Sequence, residues 1–121
     1  MTIQTLSTPL PAILEHTAAQ VFASFSERLR NTLNGRQERG LKLAIEGHVT
    51  HKSERIFSVR SESGDHAYLV DLSRNFCSCP DSQKGYICKH RIAAYLVEQA
   101  AKAVQPEDNP LERARLVLHA H

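Results

Sequence analysis

The sequence predicts a small α+β domain: helices first, then an antiparallel hairpin or three-stranded sheet, then a helix behind a cysteine and histidine cluster. Three observations predict it. Apolar residues recur at three- and four-residue steps from Leu14 to Leu33 and again from Ile92 to Val104, the period of a helix face. Between His48 and Leu72 the period shortens towards two, as in half-buried strands. All three cysteines lie between Cys77 and Cys88, and His90 follows the last by two positions.

The first eight residues are small and polar and are expected to fray. Thr8-Pro9 and Pro11 suit a helix start, because proline is tolerated where amides lack partners. One amphipathic helix is expected from there to Leu33, its face made by Leu14, Ala18, Val21, Phe22, Phe25, Leu29 and Leu33. Asn34-Gly35 stops it. A second helix is expected over Arg36 to Glu46, with Leu41, Ile45 and Ala44 inward and Gly47 as its end. Gly40 inside it costs about 1 kcal/mol against alanine.

Strands are expected at His48 to His51, Arg55 to Ser61 and Ala67 to Leu72. The turn cluster Ser63-Gly64-Asp65 joins the last two as a hairpin, and Arg74-Asn75 turns the chain towards the cysteines. After His90 a helix shows Ile92, Ala93, Tyr95, Leu96, Ala100 and Val104 on one face and ends at Pro106; Leu111 to Leu118 suits a short final helix. The organisation expected is 1–35 as an N-terminal amphipathic helix with a frayed start, 36–104 as the metal-binding domain, and 105–121 as a tail.

The window reads Cys77-Ser78-Cys79, eight intervening residues, then Cys88-Lys89-His90. In an extended segment positions i and i+2 face the same side, so Cys77 and Cys79 can offer both sulfurs to one ion. Cys88 and His90 are expected just ahead of the following helix, whose N-terminus favours thiolate. Three thiolates and one imidazole make the closed tetrahedral shell of structural zinc, one ion per chain. Four protein ligands leave no open coordination position for a catalytic metal. Asp81, the one acid in the window, is read as a hydrogen-bond acceptor for loop amides. No nucleophile–base arrangement, glycine-rich phosphate loop or paired-carboxylate motif supports an enzyme.

The spacing C-x-C, loop, C-x-H resembles the SWIM zinc finger. The resemblance covers roughly residues 40 to 100, with Tyr68-Leu69-Val70-Asp71-Leu72 before the first pair and Ala93-Ala94 after the last. It implies a β-hairpin before the first ligand pair and a helix after the second. Such modules occur in Swi/Snf-type ATPases, Mutator-type transposases and proteins that assist recombinases. The resemblance therefore implies binding to DNA or to other proteins.

Composition bounds the rest. Charged residues are 23% of the 121 and hydrophobic residues 41%, ordinary for one globular domain. The odd cysteine count argues against a self-contained disulfide framework. With no signal-peptide pattern and no long apolar run, an intracellular, cytoplasmic and non-membrane protein is expected. The net charge of +2 is mildly basic, but it is unevenly spread. Arg74, Lys84, Lys89 and Arg91 surround the ligands against Asp81, and a second excess runs from Arg36 to Arg60.

The expected function is a non-enzymatic module that binds DNA or RNA through Lys84, Lys89, Arg91, Arg60 and Arg74, with Tyr86 stacking on a base. The alternative is an adaptor that docks on a recombinase, nuclease or transposase. Phe22, Phe25 and Leu29 either pack on the zinc module or form a stripe for a partner or a second copy of the chain. His48, His51 and His66 are expected on or near the strands without a metal role.

Overall fold

The computed structural model describes residues 10–103. Helices α1 (Leu10–Ala23), α2 (Glu27–Leu33) and α3 (Arg36–Ile45) precede strands β1 (Val49–Ser53), β2 (Ile56–Arg60), β3 (Ala67–Asp71) and β4 (Phe76–Cys77). A single-turn helix α4 (Pro80–Gln83) and the long α5 (Lys89–Ala103) complete the order. The fold is α+β. The Thr8-Pro9 helix start, the frayed N-terminus, Val104 and the 105–121 tail with its short helix lie outside the described residues.

The single N-terminal helix expected to Leu33 is in fact two. Ser24 closes α1 by donating its hydroxyl to the Val21 carbonyl, and Ser26 opens α2 by accepting the Leu29 amide at 3.1 Å. Serine hydroxyls compete for backbone partners in this way and favour caps over helix interiors. The apolar step continues across the elbow, which is why periodicity alone runs through it. Asn34 and Gly35, both left-handed, then separate α2 from α3.

Helix α3 ends as its sequence predicts. Gly47 has φ 81°, its amide bonds to the Ala44 carbonyl, and the His48 amide reaches back to the Leu43 carbonyl. Its inward face is shifted from the expectation: Gly40, Leu43 and Ala44 are buried, whereas Leu41 and Ile45 are half-buried.

The strands form one antiparallel sheet in the order β1-β2-β3-β4, one strand more than expected. Phe57 pairs with Val70 and Val59 with Tyr68, so the inward residues of β2 and β3 lie side by side. The chain leaves β3 through a 3-10 turn at Leu72–Arg74, held by the Ser73 amide donating to Asp71 Oδ1. Left-handed Asn75 then returns it as β4, which places Cys77 opposite Val70 and facing inward.

α5 is the central element, packed against α3 and α1 on one side and the sheet on the other. The core runs from Leu14 and Ala18 of α1 through Leu43 to Val59, Val70, Ile92, Ala93 and Leu96, and all three cysteines belong to it. Phe22 and Phe25 pack against this core while staying partly exposed.

One ion pair fastens the β1–β2 turn to α5. Arg55 donates to both carboxylate oxygens of Glu98, at 2.7 and 2.9 Å, and those bonds hold the Glu98 carboxyl below its ordinary value of 4.5. A carboxyl depressed by folding contributes stability above its unfolded pKa and loses it as pH falls through the folded value. Because the Arg55 side chain is 44% exposed, the pair is worth only about 1 kcal/mol or less. Glu98→Gln should therefore lower stability slightly at pH 7 and flatten the acid limb below pH 4.5; urea titrations at several pH values check both.

Candidate metal centre and its basic rim

Three neighbouring pieces of backbone bring the four ligands together. Cys77 comes from β4, and Ser78 continues its pairing by exchanging hydrogen bonds with Leu69. Cys79 is the N-cap of α4: Pro80 occupies the first turn, and the Ser82 amide donates to Cys79 Sγ at 3.4 Å. Cys88 starts α5 in the same manner, its Sγ accepting the Arg91 amide at 3.4 Å and its carbonyl the Ile92 amide. His90, expected just ahead of the helix, lies inside the first turn of α5 because the helix begins at Lys89.

The ligand atoms of Cys77, Cys79, Cys88 and His90 all lie within 4.8 Å of one another, and all four residues are buried. Both ring nitrogens of His90 are buried without a hydrogen-bond partner among the described residues, and a metal bond would satisfy one of them. The Tyr68 ring packs on the imidazole at a centroid distance of 4.6 Å and tilted by 43°. The Cys77 thiol donates to Cys88, whose own pKa falls to about 4, and the same contact together with burial pushes Cys77 up. Burial above all raises Cys79.

The start of α5 beside these sulfurs suits a divalent cation that would hold all three as thiolates. The donor set and its closure fit one structural zinc ion. When bound, the ion cross-links the sheet edge to the starts of α4 and α5. Among the described residues no second group of this kind forms. His48 Nδ1 meets the Arg60 carbonyl at 3.0 Å, His51 Nε2 meets the Glu54 carbonyl at 2.7 Å, and His66 lies beside Tyr68.

The loop between the ligand pairs is clasped by α3. Arg36 donates to both oxygens of Asp81, at 2.6 and 2.8 Å, and its guanidinium lies over the Tyr86 ring at 4.5 Å. The Asp81 carboxylate was read as an acceptor for loop amides. Instead it takes Arg36, and the Asp81 carbonyl accepts the amides of Lys84 and Tyr86. The Arg36 hydrogen bonds hold the Asp81 carboxyl below its ordinary range. In the sequence Arg36 stands out only as part of a basic stretch; a pair 45 positions apart leaves no local signature.

The six proposed nucleic-acid contacts do not share one surface. Lys84 and Tyr86 sit on the ligand loop, exposed, and Lys89 at the start of α5 is ion-paired with Glu62. Arg39 joins Arg36 and Lys89 around a hollow that borders Cys88 and His90. Lys89 first, then Lys42 and Arg39, hold Glu62 below its ordinary range; Arg36 first, then Lys84 and Arg39, do so for Asp81. Arg91 points into a separate cleft with Phe22, Phe25 and Tyr95. Arg60 lies at the hairpin among His48, Thr50, Ser58 and His66. Arg74 is an exposed turn residue 3.7 Å from Asp71.

Fold and site together define a zinc finger: a sheet edge, a tight loop and a helix start closed around one ion. Residues 68–99 match the family model described as the SWIM zinc finger, a stretch that runs from β3 through all four ligands into α5. That segment is similar to the SWIM zinc finger family. No curated protein and no solved structure matches the chain. Among the described residues, no helix is long and apolar enough to cross a membrane.

Proposed function

We propose that this chain is a non-enzymatic nucleic-acid-binding module whose contact face is the basic rim of the zinc finger. The observation that carries this reading is the meeting of two basic segments distant in sequence. Arg36, Arg39 and Lys42 of α3 come alongside Lys84 and Lys89, with Asp81, Glu62 and Glu46 as the acids paired with them. The excess is two positive charges over these eight residues. A cluster of this kind can track phosphates by displacing counterions. Tyr86, 48% exposed beside it, offers a ring for stacking. DNA is the preferred partner because the SWIM segment occurs in DNA-processing proteins; RNA shares the same backbone chemistry.

Arg39, Lys42 and Lys84 are the residues to reverse, since Arg36 and Lys89 also brace the fold. Fluorescence anisotropy with a labelled DNA duplex should show affinity falling steeply from 50 to 200 mM salt. Each phosphate contact contributes about 0.9 to the log–log slope, so Arg39→Glu with Lys84→Glu should lower the slope by about 2. Affinity should drop by at least about tenfold at low salt. Binding that ignores both salt and the double reversal would refute the proposal.

A further inference from the structure

The cleft between the α1–α2 elbow and the first turns of α5 lies apart from the basic rim. Lys89 and Arg91 are two positions apart, which turns their side chains about 200° from each other around α5. Lys89 borders the metal ligands, while Arg91 enters a cleft of about 200 Å³. Its apolar walls are Val21, Phe22, Phe25, Ile87, Ile92 and Tyr95, with Phe22 and Phe25 tilted against each other at 5.8 Å.

Charge on these walls is specific. Arg55 is engaged by Glu98 and also feels Asp71. The Arg91 guanidinium has neither a hydrogen-bond nor an ion-pair partner among the described residues; only its backbone amide is used, on Cys88 Sγ. One free cation on an apolar wall calls for one anion attached to an apolar group. With Arg55 compensated by Glu98, the cleft offers one unpaired cation, which matches a single carboxylate and not the repeated charges of a nucleic-acid backbone.

We infer that this cleft docks a short peptide segment of a protein partner, one that seats an aromatic or branched aliphatic side chain among Phe22, Phe25 and Tyr95 and pairs a neighbouring carboxylate with Arg91. Phe25 lies in the elbow between α1 and α2, where its ring stays beside that of Phe22. With the rim on the opposite side of α5, one chain could hold nucleic acid and a protein partner together.

The test is selection from a random peptide-display library on the zinc-loaded full chain, followed by anisotropy with the resynthesised peptides. Enriched peptides should share an Asp or Glu beside an aromatic or aliphatic residue. Arg91→Gln should weaken them at least about tenfold while leaving metal content and DNA affinity unchanged. Arg91→Glu should regain binding to peptides whose acid is replaced by Lys. Recovery of no peptide, of peptides without an acid, or of peptides indifferent to Arg91→Gln would overturn the inference. So would loss of DNA affinity in Arg91→Gln, which would assign the cleft to nucleic acid. Arg91-dependent self-association in sedimentation would assign it to a second copy.

Discussion

Cys88→Ser should leave the protein without its metal and without a cooperative fold. Cys88 supplies a buried ligand, caps α5 and accepts the Cys77 thiol, so a serine there disturbs the sheet edge and the central helix together. Structural zinc supplies about 10–16 kcal/mol of binding free energy in small peptides, comparable to the whole net stability of a domain at about 5–15 kcal/mol. The three cysteines belong to the same core as Leu43, Val70 and Leu96, so little folded structure is insulated from their loss. Elemental analysis should find about one zinc per chain in the parent protein and none in the variant. Chelation should abolish the near-ultraviolet circular dichroism of the parent. A chelated protein that still unfolds cooperatively at its original temperature would contradict this account.

The second large effect is expected at Gly40, where α3 crosses α5. A Cβ built there would lie 2.7 Å from Ile92 Cγ2 and 2.9 Å from the Lys89 carbonyl oxygen. The Ile92 Cβ, 2.8 Å away, does not move with side-chain rotation, and the carbonyl belongs to the first turn of α5, next to the ligand His90. By helix propensity alone, Gly40→Ala would stabilise by about 1 kcal/mol. Overpacking should reverse that sign, with a net loss of about 1–3 kcal/mol for alanine and more for Gly40→Val. Denaturant unfolding of the zinc-loaded proteins decides it: a stabilised Gly40→Ala would mean that the two helices separate freely.

Some of this was legible in the sequence, for reasons that particular residues make clear. The metal ligands lie within fourteen consecutive positions, so their spacing alone assembles the shell. Phe57, Val59 and Val70 alternate as a sheet face demands, and Asn34-Gly35 and Gly47 mark real helix ends. What escaped depended on distant partners or on weak local signals. Ser24 and Ser26 carry the elbow, yet the apolar step from Phe22 through Phe25 to Leu29 masks it. β4 is two residues long and is recognisable only through its pairing with Val70 and Asp71. Gly40 looked like a weak point in a helix before Ile92 was brought against it. The division of Lys84, Lys89 and Arg91 between two surfaces follows from where α5 begins, which charge counting does not specify.

That starting point bears on how α5 is oriented. In most amphipathic helices the apolar stripe sets the rotation about the axis, and a changed stripe lets the helix roll. Here Cys88 at the cap and His90 in the first turn fix two points of the helix to the metal centre. The phase of α5 is then set by coordination chemistry more than by oil-like packing. With the ion bound, these two points would keep Lys89 on one side and Arg91 on the other.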